Sequence, residues 1–159
     1  MKTITYIKGD VTVPQAKGTK LIVHICNNIG GWGKGFVVAI SKRWPEPEKA
    51  FREWYKNRAK NDFQLGAIQV VQVSDDKYIG NMIAQEGIKT ARSKGVPIRY
   101  EAVQQCLEKI VVEAKELNAS IHMPRIGCGL AGGKWERIEA IIEETLLKND
   151  LDVYVYDFG

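Results

Sequence analysis

Residues 20–35 read KLIVHICNNIGGWGKG, and the fold turns on the change of composition halfway along that stretch. Residues 20–26 are a near-continuous apolar run, the composition of a strand covered on both faces rather than one. Asn27 and Asn28 end the run, and glycines follow at positions 30, 31, 33 and 35. Residues 36–44 then space Val37, Ala39, Ile40 and Trp44 as a helix would. A buried strand that passes through glycines into a helix is the repeating unit of an alternating α/β sheet.

The flanking sequence extends the same alternation. Residues 3–8 read as a strand closed by Gly9-Asp10 and then Pro14. Pro45 and Pro47 break the first helix and start another, with Ala50, Phe51, Trp54 and Tyr55 on one face. Residues 67–73 and 77–84 read as two strands joined by a tight turn at Ser74-Asp75-Asp76, whose acids are expected to be solvated turn residues rather than catalytic groups. Residues 86–97 carry no clear period and are expected to form a flexible, basic loop. Helices are expected at 99–117 and 135–147, with short strands at 120–123 and 151–156. The whole predicts one α/β domain over 1–159, with helices on both faces of a mixed sheet and no internal repeat or linker.

Composition narrows the function classes. At 159 residues, with 45% hydrophobic and 26% charged, the chain suits one soluble domain with a real core. No apolar run approaches the roughly 20 residues that a membrane helix needs. The alternating opening Met1-Lys2-Thr3-Ile4-Thr5-Tyr6 lacks the apolar core of a signal peptide, so a cytoplasmic location without membrane attachment is expected. Cys26, Cys106 and Cys128 are odd in number and form no CxxC pair, which argues against disulfides; with only His24 and His122 to join them, no metal site is expected either. A net charge of +4 suits an anionic ligand but lacks the clustered basic stripe of a nucleic-acid binder.

Two strand-to-helix junctions carry the chemistry. In open α/β sheets, ligands bind outside the carboxyl ends of the strands. At residues 30–35 glycines let backbone N–H groups approach a phosphate, the following helix adds partial positive charge at its amino end, and Lys34 adds a full one. Residues 124–133 read PRIGCGLAGG, so Gly127, Gly129 and Gly132 satisfy a GxGxxG spacing, with Asp152 about twenty residues on. A dinucleotide-binding Rossmann domain would open with that loop, yet only one strand follows it here. Gly33-Lys34-Gly35 is not a Walker A loop, because no Ser or Thr follows the lysine. Two glycine cradles on one sheet are instead suited to clamp both sides of a diphosphate.

Four segments together resemble the macro-domain family: Tyr6-Ile7-Lys8-Gly9-Asp10-Val11, residues 21–28, Gly31-Trp32-Gly33-Lys34-Gly35, and Met123-Pro124-Arg125-Ile126-Gly127-Cys128-Gly129-Leu130. The resemblance spans nearly the whole chain and is nearest to the fungal ADP-ribose-1″-phosphate phosphatases and the terminal ADP-ribose glycohydrolases. It implies a three-layer α/β/α domain with a mixed central sheet and a surface cleft for ADP-ribose, and no cofactor. It also implies that Asp10 accepts from the adenine amino group beside Val11, and that Phe158 packs near adenine. By the same resemblance, Asn27 and Asn28 approach the distal ribose, while Gly33, Lys34 and Gly35 and then Ile126, Gly127, Cys128, Gly129 and Leu130 hold the diphosphate.

For catalysis the resemblance divides. The glycohydrolase subtype uses a lysine and an aspartate that align here with Gln85 and Ala131, which can neither form a Schiff base nor transfer a proton. The phosphatase subtype has a histidine at His24, and imidazole can attack phosphorus or relay a proton near neutral pH; Glu86 is the nearest acidic partner. A histidine in a buried strand can equally be a hydrogen-bonded structural residue. Cys128 and His122 are expected to be packing residues, while Trp32 is open between stacking on a ligand and covering the cleft. Two functional readings follow: a hydrolase of ADP-ribose-1″-phosphate or a related ADP-ribosyl derivative, with His24 catalytic, and a non-catalytic reader of ADP-ribose or ADP-ribosylated macromolecules.

Overall fold

The apolar run at 20–26 lies at the centre of a six-stranded sheet. The computed structural model describes residues 2–88 and 95–158. Its strands are β1 (Thr5–Lys8), β2 (Lys20–Asn27), β3 (Ile68–Ser74), β4 (Lys77–Gln85), β5 (Ser120–Met123) and β6 (Val153–Asp157). They are ordered β1-β6-β5-β2-β4-β3, and every neighbouring pair is parallel except the β3–β4 hairpin at one edge. The sheet is therefore mixed, as expected. Among the described residues no helix is long and apolar enough to cross a membrane.

Burial on both faces of β2 explains its unbroken hydrophobicity. Leu21 and Val23 pack in one cluster with Val103, Leu107 and Ile110 of α3 (Tyr100–Leu117) and Ile138 of α4 (Trp135–Ile142). Ile22 and Cys26 pack in the other with Ile40 of α1 (Phe36–Arg43) and Phe51 and Trp54 of α2 (Glu46–Lys56). Helices thus cover both faces, which makes three layers. Gly80 of β4 lets the layers close: a Cβ there would stand 3.0 Å from Val23 and 3.2 Å from Ile110.

The end of the sheet opposite the glycine junctions carries a buried cation. Lys20 is almost fully buried, and its Nζ donates to the Gly18 carbonyl at 2.6 Å and to Asp76 Oδ2 at 2.9 Å. Asp76 therefore anchors the hairpin turn to β2. Hydrogen bonds from Lys20 and then Lys77 hold its carboxyl well below the usual range.

Element ends shift by one or two residues from expectation, with one larger departure. The helix expected to run to 147 is α-helical only to Ile142, and residues Glu143–Leu147 widen into a π turn. There the Lys148 amide reaches the Glu143 carbonyl at 3.1 Å, while the Thr145 hydroxyl takes the Ile141 carbonyl at 2.7 Å. A threonine that bonds back into its own helix competes with the backbone ladder, a local effect that apolar spacing does not reveal. Of the loop expected at 86–97, residues 89–94 lie outside the described residues.

Phe51 is fully buried, with ring centroids 5.3 Å from Trp32 and 5.7 Å from Phe63. Phe51→Ala is expected to destabilise the fold by about 3–5 kcal/mol, read as a lower urea midpoint with an unchanged slope.

Candidate functional site

Parallel strands end together, so the loops after β2 and β5 and the end of β6 meet on one side of the sheet. A β-bulge between Cys26 and Asn27 shifts the β2–β4 register, and the pairing runs on only through Asn27 opposite Gln85 and the Asn28 amide on the Gln85 carbonyl at 3.0 Å before the first glycine loop begins. Asn27 then organises that loop. Its Oδ1 accepts from the amides of Ile29 at 3.1 Å and Gly31 at 2.9 Å, and its Nδ2 donates to the Gly31 carbonyl at 3.1 Å.

Two cavities open on this side, each of about 610 Å³. One is lined by Asp10, Val11, Thr12, Arg43, Tyr156 and Phe158, among others. The other lies between the two glycine loops and is walled by Asn27, Gly33, Lys34, Ile126, Gly127, Gly129 and Leu130, with Gln85 and Ala131 also facing it. Both share Gly35, Phe36 and Pro124, so they form one elongated cleft across the amino end of α1.

The glycines sort into two kinds. Gly127 has φ +74 and Gly132 φ +75, and an added Cβ would meet Ile98 at 2.8 Å and Val96 at 2.7 Å; they are required by the protein's own backbone. Gly30 is likewise required, because its Cβ would strike the Tyr55 ring. Gly33 and Gly129 differ: neither has positive φ, and a Cβ on either would enter open space in the cleft. The amides of Gly33, Lys34, Gly129, Leu130 and Ala131 donate to no described residue. Leu130 reaches across so that its Cδ1 would lie 3.5 Å from a Cβ on Gly35, bringing the loops edge to edge. Unpaired amides over Cβ-free backbone, beside a helix amino end, form an anion cradle.

At the other end Asp10 is held as an anion. Its Oδ1 accepts from the Thr12 amide at 2.9 Å and the Thr12 hydroxyl at 2.6 Å, and Arg43 Nη2 stands 3.4 Å from Oδ2. Partial burial pushes the carboxyl upward, but the hydrogen bonds from Thr12 and Arg43 outweigh it and leave the group below its ordinary range. Oδ2 takes only the long Arg43 bond and so keeps a lone pair for a ligand donor. Phe158 stands beside this cavity with 86% of its surface exposed.

His24 is buried, with 1% of its surface exposed. Its Nε2 lies 2.6 Å from Asn81 Oδ1. Asn81 spends its amide hydrogens on Pro47 O and Gln69 Oε1, so Nε2 of His24 carries the proton and donates. Trp32 stands edge-on to the ring at 5.4 Å, and burial pushes the imidazole down to about 4 against the opposing Asn81 bond. His24 reaches the cavity wall only as a neutral, hydrogen-bonded ring. Glu86 forms an ion pair with Arg99 at 2.7 Å and lines neither cavity, and among the described residues the walls of the loop cavity hold no carboxylate.

Other expected residues fall on either side of the cleft wall. Asn28 and Cys128 do not line it: Asn28 Oδ1 accepts from the Gly87 amide at 2.8 Å, and Cys128 Sγ turns to the Ile126 carbonyl at 3.5 Å. Trp32 is 4% exposed in the core beneath the cleft, its Nε1 donating to Ser41. His122 is a buried packing residue, stacked on Tyr154 at 4.7 Å with Nδ1 2.7 Å from the Tyr156 hydroxyl. Sequence reasoning missed Thr12 and Arg43. A threonine two residues after Asp10 is the spacing of a local side-chain turn, and Phe36, Ala39 and Arg43 share one face of α1. Among the described residues no three His, Cys, Asp or Glu gather as a metal site.

With this geometry, comparison with known proteins is specific. The family model for the macro domain matches residues 23–142, and the chain belongs to that family. A macrodomain protein of known structure from Streptomyces coelicolor is 51% identical, with TM-score 0.88 over 98% of this chain and 99% of that one. The chromodomain-helicase-DNA-binding protein 1-like of Mus musculus is 33% identical over 165 residues, which cover 98% of this chain and 18% of that protein. The chain thus spans less than a fifth of the helicase-related proteins that it matches. An ADP-ribose 1″-phosphate phosphatase of Lodderomyces elongisporus is 29% identical over 164 residues, covering 98% of this chain and 99% of that one.

Two outcomes follow. Gly127→Ala is expected to cost about 1–3 kcal/mol of stability through its positive φ, whereas Gly129→Ala leaves the melting temperature unchanged. His24 and His122 are each held near 4, below the ordinary 6.5. Between those values the unfolded chain binds protons that the fold does not, so stability falls as pH drops from about 6.5 toward 4. Urea unfolding at pH 7 and pH 5 should show the loss, and His24→Gln should remove on the order of 1–2 kcal/mol of it.

Proposed function

We propose that this macro domain binds ADP-ribose along the continuous cleft. One observation carries the reading: an ionised carboxylate acceptor at one end opens, through Gly35, Phe36 and Pro124, onto paired loops of free amides at the other. In this reading adenine donates its amino group to Asp10 between Val11 and Phe158. The diphosphate lies across the amino end of α1, between Gly33–Gly35 and Ile126–Leu130, with Lys34 adding charge. The distal ribose points toward Asn27 and Gln85, Asn27 acting mainly by shaping the loop.

Recognition without turnover is the form of this function that the geometry supports best. Among the described residues the loop cavity offers no carboxylate, and His24 is buried and already bonded to Asn81; by the family resemblance, Gln85 and Ala131 align with the lysine and aspartate of a glycohydrolase. The natural ligand is then ADP-ribose itself or an ADP-ribosylated macromolecule. Hydrolysis of ADP-ribose-1″-phosphate is a second reading, supported by the end-to-end likeness to the Lodderomyces phosphatase and by His24 at the cavity wall.

Calorimetric titration with ADP-ribose tests the first reading: saturable one-site binding is expected, and its absence would refute it. Asp10→Ala should weaken that binding about 10- to 100-fold by loss of a charge-assisted hydrogen bond. Phosphate release from ADP-ribose-1″-phosphate that disappears in His24→Ala, with ADP-ribose binding kept, would establish the second reading over the first.

A further inference from the structure

At the edge of the cleft a cluster that the ligand reading does not use surrounds Arg125, which lines the loop cavity itself. Its Nε and Nη2 donate in a fork to Asp157 Oδ1 at 2.6 Å and Oδ2 at 2.9 Å. The guanidinium lies 5.1 Å from the ring centroids of both Tyr6 and Trp135. Those rings are joined to each other, because Trp135 Nε1 donates to the Tyr6 hydroxyl at 3.1 Å and that hydroxyl bonds Glu139. Three other pieces of chain therefore converge on this planar cation at the start of the second glycine loop: β1, the end of β6 and α4.

Position gives the cluster its consequence. Arg125 directly precedes Ile126, the first residue of the second glycine loop, and Asp157 directly precedes Phe158 of the other cavity. The far end of that loop is closed independently, by the Gly133 amide on the Gly127 carbonyl at 2.7 Å. A loop containing three glycines between those anchors has much conformational freedom to lose when it wraps a ligand. Asp157 itself lines neither cavity.

We propose that the Arg125–Asp157 pair is a positioning device that couples the two ends of the cleft, holding the second glycine loop and Phe158 in register before the ligand arrives. This rests on the ADP-ribose reading for its ligand. Both side chains are well exposed, at 39% and 48%, so the pair contributes little to global stability. Its effect falls on binding instead. A fork between two rings is also specific to arginine, since lysine offers a point charge without the planar geometry.

The test compares Asp157→Asn, Arg125→Lys, Arg125→Met and the Asp157→Asn/Arg125→Met double variant by ADP-ribose calorimetry, thermal melting and amide NMR of the free protein. Asp157→Asn is the decisive variant, because that side chain touches no cavity. It is expected to weaken ADP-ribose binding about five- to tenfold with the melting temperature held within about two degrees. Arg125→Lys should fall between wild type and Arg125→Met, and the double variant should bind no worse than Arg125→Met alone. The Gly127, Gly129 and Phe158 amide signals should move together in free Asp157→Asn. Binding within twofold of wild type, or unmoved amide signals at those residues, would overturn the coupling. Wild type that binds no ADP-ribose would instead refute the ligand reading, and the NMR comparison would still decide whether the pair orders loop and Phe158.

Discussion

The structure depends on the burial of β2 on both faces between two parallel neighbours. A strand paired on both edges and covered by helices above and below has nowhere to release its backbone except at its ends. At the carboxyl end the register with β4 shifts at a bulge one residue before the strand ends, and the chain leaves through a glycine-rich loop. Because β5 is parallel to β2, its own exit loop emerges on the same side, which is why two distant stretches of sequence form facing halves of one cleft. The cradle is a consequence of parallel topology rather than a feature added to it.

The two ends of β2 are built for opposite tasks. At the amino end a buried lysine donates to a carbonyl and a carboxylate of the protein itself. At the carboxyl end several amides donate to nothing in the described chain, and two glycines face open space. On exposed residues such as Gly33, Lys34, Gly129 and Leu130, amides without a protein partner are met by water and stay available to a ligand. The same contrast separates the histidines from the carboxylate Asp10: burial keeps both imidazoles neutral and engaged, while hydrogen bonds keep Asp10 charged, with Oδ2 carrying only the long Arg43 bond.

Much of the fold was legible from residue pattern. The apolar run at 20–26, the helical spacing of Val103, Leu107, Ile110 and Ala114, and the short strands near 120 and 153 all announced their elements. The helical extent to Leu147 was legible, but its widening into a π turn over Glu143–Leu147 was not, because Thr145 bonds within its own helix and periodicity does not register a hydrogen bond. In the site, Gly33, Gly129 and Asp10 were recognisable from the motif segments. Thr12 and Arg43 were not singled out, although they set the charge state and orientation of Asp10. Cys128 sits inside a motif yet turns its sulfur away from the cleft, since a segment can recur for its backbone path alone.

By itself the sequence determined the alternating α/β class and the two glycine junctions, because residue type and spacing alone set those properties. Only the tertiary structure decided which glycines serve the protein and which face the cleft, since that depends on what a Cβ would meet. It likewise showed His24 as a ring already bonded to Asn81, and joined Arg125 to Asp157 across 32 positions of sequence. Those facts are distances between side chains on different strands, and no local pattern encodes a distance that exists only once the sheet has formed.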